Sequence, residues 1–489
     1  MRIVMRLHAL LFSALAFFSL SSCGSDSSEN GLLAWVKQAG GYSSDEGNYI
    51  SSLSDESFLV SGSVGDIAVF GRGEANETAL FTGLGSFLAR YNDNGTLAWV
   101  KSTGDSYCYG FATLPDGSSF GTGWFETPTT FGVGEPNETT LDPMDRRSVF
   151  IVRHNQDGTL AWAKIVVSSH YGSWVMQSIA AMPDGSITLL GHFSHTAVFE
   201  PGDIGQIALN SAGDPDMFLA RYDTAGALTW LVQAGGSSSS LEGAAISSLP
   251  DGSFVVGGDF LGAVTFGIGE PNESMRTSAG EGDVFVAKYN PDGSLAWVRR
   301  AIGTRFSGIS SVSMLSDGST VAAGYFSDSV RFGPGEQNET TLSSAGGMDV
   351  FVARFNPEGN LDWARRAGGA EGDASKSICS QADGKAIITG TFKGAATFGL
   401  GESNETILTT TGNADIFIAK FDSHGSLVWA RQAGGEDVEY PRGISSLPDE
   451  SSLVTGSFLG TAIFGPGEAN ETTLTTDGIH DIFIMRINP

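Results

Sequence analysis

Along this chain, apolar residues alternate with polar ones in short runs, and most runs stop at a glycine-bearing turn. Residues 246–301 show the pattern most cleanly: ISSLPDGSFVVGGDFLGAVTFGIGEPNESMRTSAGEGDVFVAKYNPDGSLAWVRRA. Positions 284–289 alternate β-branched and aromatic side chains, and positions 295–298 do so again, which is the period of a strand. Between them stands Asn290-Pro291-Asp292-Gly293. Proline presets φ for the first turn position, Asp suits the second, and Gly takes the left-handed place that closes a bulged hairpin. A second hairpin is centred on Leu249-Pro250-Asp251-Gly252. After residue 22 the chain carries no sustained 3.6-residue apolar stripe, so very little helix is expected.

The same phrases recur along the chain. Trp35, Trp99, Trp162, Trp230, Trp297, Trp363 and Trp429 lie 63–68 residues apart, each inside a near-copy of LAWVKQAGG. A fixed period of this kind marks an array of structural units. Each unit supplies two hairpins, and the segment around GEPNE predicts a small third one. That insertion explains a repeat longer than the roughly 40–45 residues of a minimal propeller blade. The two ends decide between ring and stack. The first Trp phrase, 32–41, has no DVFVAKY-type strand before it, and DIFIMRIN, 481–488, has no Trp phrase after it. Joined, they make one hairpin and remove two open edges. A solenoid would instead need polar caps, and none is visible. The expected fold is all-β: a single seven-bladed β-propeller over 32–489, with four-stranded antiparallel blades and the Trp strand outermost. The N-terminal strand completes the last blade.

Ahead of the repeats, residues 1–22 read as an export signal. Arg2 and Arg6 form the positive end, and 7–20 is an apolar core too short for a permanent span. Leu20-Ser21-Ser22-Cys23 resembles the bacterial lipoprotein box. The resemblance implies cleavage before Cys23, lipidation there, and a membrane attachment through that lipid. Gly24 in place of Asp implies, for a Gram-negative lipoprotein, release to the outer membrane, facing periplasm or cell surface. Residues 23–31 are then the lipidated Cys and a small, polar, flexible tether. The stretch Asp283-Val-Phe-Val-Ala-Lys-Tyr-Asn-Pro-Asp-Gly-Ser294 resembles the bacterial β-propeller repeat family often called SBBP. That likeness spans almost the whole mature chain. It implies a propeller in an extracytoplasmic setting and carries no general activity with it. Two units depart most from the pattern: Ser148 replaces the leading Asp in one, and Glu200-Pro201-Gly202-Asp203 replaces Gly-x-Gly-Glu in the next.

Charge narrows the partners. The formal net charge is −28, and losing the two signal arginines makes the mature chain more acidic still. This balance argues against nucleic acid as a partner, because phosphate binding needs clustered Lys and Arg. Beyond Cys23 only Cys108 and Cys379 remain, at non-equivalent places, so two unpaired thiols are expected rather than a bridge framework. A monomer is expected.

Candidate chemistry is sparse. Gly-Glu-x-Asn-Glu-Thr/Ser recurs from Gly73, Gly134, Gly269, Gly335, Gly401 and Gly467. Its glutamates suit calcium or another cation at acidic loops, or recognition of a basic partner, or, preferred here, a turn whose charges keep an exposed hairpin soluble and unpaired. No cofactor is expected otherwise. Gly117-Ser118-Ser119-Phe120-Gly121 has the spacing of a nucleophile elbow without the strand-to-helix turn that chemistry needs. His154, His170, His192 and His195 gather in one unit, beside Tyr171 and Trp174, and imidazoles there suit a metal or acid–base work. No third ligand sits at metal spacing. After the Gly ending each second strand come Ser63, Trp124, His192, Asp259, Tyr325, Thr391 and Ser457, chemically diverse on a constant frame. The candidate binding residues are therefore Trp124, His170, Tyr171, Trp174, His192, His195, Asp259 and Tyr325. The expected function is a lipid-anchored, non-catalytic binding or scaffold module of the cell envelope, with a protein or glycan partner. An extracytoplasmic hydrolase or lyase, with its site at the channel mouth, is the alternative.

Overall fold

The computed structural model describes residues 30–489 apart from 82, 84, 105, 145–146, 169–173, 203–204, 214, 238 and 382. Every named element among the described residues is a strand. The sequence pattern predicts this, since its alternating apolar runs are separated by glycine-bearing turns.

Ladder pairing groups the main strands into seven four-stranded antiparallel units. In the unit read above, Ser240–Ser248 pairs with Phe254–Leu261, which pairs with Asp283–Tyr289, which pairs with Leu295–Gly303. A small hairpin, Ala263–Phe266 with Ser274–Thr277, fills the insertion. The Trp-bearing strand is outermost throughout. The innermost strands are Glu46–Ser52, Tyr107–Thr113, Trp174–Ala181, Ser240–Ser248, Ser307–Met314, Ala374–Ser380 and Glu439–Ser446. Each contacts the next, and the last contacts the first, so they ring a central channel. This is the arrangement of a β-propeller.

The two ends meet as the leftover count predicts. Leu33–Ala39 lies antiparallel to Thr472–Ile487, with Leu33 opposite Ile487 and Ala39 opposite Ile482. Thr472–Ile487 pairs in turn with Ser452–Phe464, and that strand with Glu439–Ser446. Asn488 N–H also donates to the Leu32 carbonyl at 2.9 Å, and Asn30 N–H to the Pro489 carbonyl at 3.0 Å.

Neighbouring units are joined in two further ways. Each accessory hairpin docks on the outer strand of the preceding unit, as in Gly434↔Ile463 and Gly368↔Thr397. Each outer-strand Trp lies over the tight turn of the following unit. Trp363 covers Gly425, whose φ of +81° and closeness to the indole, 2.6 Å from an added Cβ, leave room for glycine alone. The Trp363 indole N–H donates to the Ser423 carbonyl in that turn at 2.9 Å. Across the chain ends the pattern persists: Trp429 covers Gly31, and Arg431 donates to the Asn30 carbonyl. The N-terminal residues thus occupy the place of a tight turn, and apolar clusters run between adjacent units.

Several sequence motifs prove to be fastenings of this frame. In five units, at Asp216, Asp283, Asp349, Asp415 and Asp481, the third strand carries a buried Asp that accepts from the backbone a few residues earlier: Ala345 N–H on Asp349 at 2.9 Å, Thr411 N–H on Asp415 at 3.1 Å. Ser148, which departs from the pattern, accepts from Met144 N–H with its hydroxyl at 3.2 Å and does the same job. The first Glu of the recurring acidic motif accepts from the outer strand of its own unit. Glu402 takes the Leu427 N–H at 2.6 Å, and Asn404 donates to the Leu427 carbonyl at 3.2 Å. Glu405 accepts from Gly401 N–H at 2.6 Å. Equivalent bonds run from Leu97 to Glu74 and from Leu33 to Glu468. The first glutamate of each motif is thus a staple of the turn, a role that none of the sequence readings assigned to it.

Candidate functional site

The seven variable positions come to one level of one mouth. Each lies directly opposite a residue of the inner strand: Ser63 faces Glu46, Trp124 faces Tyr107, His192 faces Val175, and Asp259 faces Glu242. Tyr325 faces Gly308, Thr391 faces Ala374, and Ser457 faces Tyr440. The tight turns that precede these strands lie at the other end of the sheets, so the mouth is built from the unit-to-unit links.

Two chemical neighbourhoods form there. On one side, Tyr107 stacks on Trp124 with centroids 4.4 Å apart, Tyr109 stacks at 6.4 Å, and the Arg147 guanidinium lies 3.9 Å from the Trp124 ring centre. Arg147 is held by Glu126 at 2.8 Å. Tyr107 is 45% exposed and Tyr109 39%, so their rings are offered to solvent. Such aromatic faces suit amphipathic partners, sugar rings included.

On the other side, Asp259, Glu242, His192 and Tyr325 share one field. Burial, and after it the Glu242 charge, pushes the Asp259 carboxyl up to about 7. Burial lowers His192 while Glu242 opposes that shift. Tyr325 is raised by burial and then by Asp259 and Glu242. The His192 Nδ1 is buried and unpartnered. Among the described residues no hydrogen bond joins these four, and no group of three or more His, Cys, Asp or Glu side chains is placed to hold a metal ion.

The channel holds a cavity of about 860 Å³ that reaches the mouth at Ser63 and Tyr107. Its wall has a feature the sequence does not mark. All seven inner strands shift register by one residue at the same place: at Asn48, Tyr109, Gln177, Ala244, Ser310, Lys376 and Arg442. All seven line the cavity. A bulge re-aims the extra side chain and sharpens the local twist.

Of the candidate residues, Trp124, His192, Asp259 and Tyr325 stand at this mouth. His195 lies just beyond, exposed, with φ of +66°, its N–H donating to Ser211 Oγ at 2.8 Å. No hydrogen bond ties it to His192. Trp174 opens an inner strand opposite Phe193. His170, Tyr171 and Cys23 lie outside the described residues, as does the side chain of Trp174. His154 is a core residue instead: it is buried, and desolvation holds its imidazole down to about 4. Ser119 is a buried strand residue rather than a nucleophile. Cys108 and Cys379 are free, and burial pushes their thiols up to about 11 and about 12. Glu242, Lys376, Arg442, Tyr107 and Tyr109 were not individually legible. Glu242, Arg442, Tyr107 and Tyr109 fall in the unit-to-unit segments SSSSLEG, EDVEYPRG and SYCYG, whereas Lys376 lies in none of these.

Comparison with known proteins gives distant likenesses. No family model matches it. An uncharacterized WD repeat-containing protein of Acanthamoeba polyphaga mimivirus is 21% identical over 437 residues, 76% of this chain. The chain spans only 31% of that relative's length. Among solved structures, U3-55K is similar at 8% identity and a TM-score of 0.46, over 93% of this chain and 99% of its own. YCF48, in a structure bound to D1 peptide, is similar at 11% identity and a TM-score of 0.41, over 94% of this chain and 98% of its own. The strand pairing and the WD-repeat relative together define the class: an all-β repeat protein of propeller type.

Proposed function

We propose that this chain is a lipid-anchored cell-envelope protein, a seven-bladed β-propeller whose mouth binds a protein or glycan partner without catalysis. One observation carries the reading: seven register-equivalent positions, chemically unlike one another, stand at a single mouth on a frame whose other repeated residues are spent on fastening it. A frame so constrained by its Asp, Glu, Gly and Trp contacts leaves diversity only where a ligand can read it. Anchoring rests on the export signal at 1–22, on Cys23 and on the tether to residue 31, and predicts an outer-membrane protein facing periplasm or surface. Several acyl chains on Cys23 would give stable attachment.

Affinity capture from envelope extracts tests the binding reading. A Trp124→Ala, Asp259→Ala, Tyr325→Ala variant should lose the partner, while Glu358→Ala, in a tight turn away from the mouth, should keep it. Equal capture by both variants would contradict the assignment. Separately, Cys23→Ser should move the protein from membrane to soluble fractions, and an unchanged distribution defeats the anchoring. A hydrolase or lyase is the second reading, favoured by the Asp259, Glu242, His192 and Tyr325 neighbourhood. Turnover of a peptide or polysaccharide that disappears in both His192→Ala and Tyr325→Phe would establish it.

A further inference from the structure

Lys376 and Arg442 occupy the shifted positions of two adjacent inner strands, and both line the channel cavity. The Arg442 guanidinium lies 3.5 Å from the Glu46 carboxylate, with side chains 43% and 33% exposed. Among the described residues Lys376 has no carboxylate within ion-pair reach. Burial, and then the neighbouring Arg442 charge, holds its ammonium below the usual range. Lys376 is nonetheless exposed on the channel side, and two like charges on neighbouring strands repel. The chain carries 55 Asp and Glu against 27 Lys and Arg, yet no acidic residue stands at any of the seven shifted positions. Three charges, Lys376, Arg442 and Glu46, therefore leave this part of the wall one positive charge in excess, in a molecule that is otherwise strongly acidic.

The rest of the wall supplies neutral contacts. Next around the ring comes Asn48, then Tyr109, while Tyr49 donates its hydroxyl to the Tyr109 carbonyl and so steadies the backbone there. Gln177 adds an amide. A volume of about 860 Å³ lies within the rough 300–1,000 Å³ span of small-molecule sites.

We propose that the channel cavity binds a small organic anion, its carboxylate or phosphate held between Lys376 and Arg442 and its body against the Tyr109 ring. Both cations present charge-assisted donors, the strong kind of hydrogen bond to such a group. The proposal relies on the binding-module reading only in taking the mouth as the way in.

Titration calorimetry of the full-length protein in detergent tests it, with glucuronate and inorganic phosphate as probes and glucose as the neutral control. Saturable one-to-one binding of either anion, with glucose silent, is expected. Lys376→Gln and Arg442→Gln should each weaken it by about tenfold or more. Lys376→Arg should retain it, and Arg331→Gln, on an accessory hairpin, should leave it unchanged. A preference for glucuronate assigns a carboxylate site and a preference for phosphate a phosphate site, and both support the proposal. Absence of saturable anion binding, equal binding of glucose, or full affinity in both Gln variants overturns it. Melting curves establish that the variants fold, and loss of the repulsion at Lys376→Gln should not lower the transition. The Trp124, Asp259, Tyr325 variant separates the two readings: partner capture fails there while glucuronate or phosphate affinity stands.

Discussion

Deleting residues 32–41 should lower the melting temperature by about 10 °C or more, because the strand removed closes the ring. Leu33 and Ala39 are buried at 2% and 1% exposure, and Trp35 packs over the turn glycine Gly95 and stacks on Phe58. Losing one buried Leu and one packed Trp costs roughly 5 kcal/mol or more by the large-to-small series, at about 2 °C per kcal/mol for a chain of this size. The deletion also strips Glu468 of the Leu33 N–H it accepts and bares the whole edge of Thr472–Ile487. An unpaired edge of that length is an aggregation site. Thermal unfolding measures the effect, and a synthetic peptide of residues 30–41 added in trans should recover part of it. An unchanged transition would show that the termini do not latch the ring.

Stability should also fall as pH rises from about 5 to about 8, the opposite of the usual carboxylate behaviour. Three carboxyls at the seams between units carry the effect. Burial, and then backbone bonds that oppose it, leaves Asp45 at about 6. Asp373 stands at about 7 for the same leading reason, with Asp349 nearby raising it further. Glu439 reaches about 8 through burial and then the Asp415 charge. In each case the folded state holds its proton to a higher pH than the unfolded chain does. Their contribution is therefore complete below about pH 4 and is lost as pH climbs through 6, 7 and 8. Below pH 4 a second set takes over. Asp116 and Asp251, in the tight turns, are held below the usual carboxylate range mainly by the Ser118 and Ser253 hydroxyls, and protonating them removes stability. Glu439→Gln isolates the seam effect, since burial and then the Asp415 charge govern this carboxyl. At pH 8 this substitution should raise the transition by about 3–6 °C, one pKa unit being about 1.4 kcal/mol, and at pH 5 it should do nothing. Melting that is flat from pH 5 to 8, or a destabilised Gln variant at pH 8, would refute the seam account.

Much of the fold was legible before any coordinates. Alternation in VFVAKY, the Asn-Pro-Asp-Gly turn and the unmatched phrases at the two ends are local facts, and local facts survive into the ladder pairing. The site was legible only in part. Trp124, His192, Asp259 and Tyr325 were found because they break an otherwise constant phrase. Lys376 and Arg442 were missed, because a one-residue register shift leaves no mark in hydropathy: the polar residue it frees looks like any other solvent-facing position. The acidic motif resisted for the opposite reason. Its repetition suggested a charged surface, whereas each first Glu is spent on a backbone N–H far along the sequence, such as Leu427 for Glu402.

By itself, then, the chain specifies strands, their turns, the period of its units and the meeting of its ends, because side-chain alternation and turn chemistry act between near neighbours. Tertiary structure decided which carboxyls face one another at the seams, which glutamates become staples, and that two cations share a channel wall. Those outcomes depend on how one unit lies against the next, and burial and Coulomb energy across that gap are set by distance in space rather than along the chain.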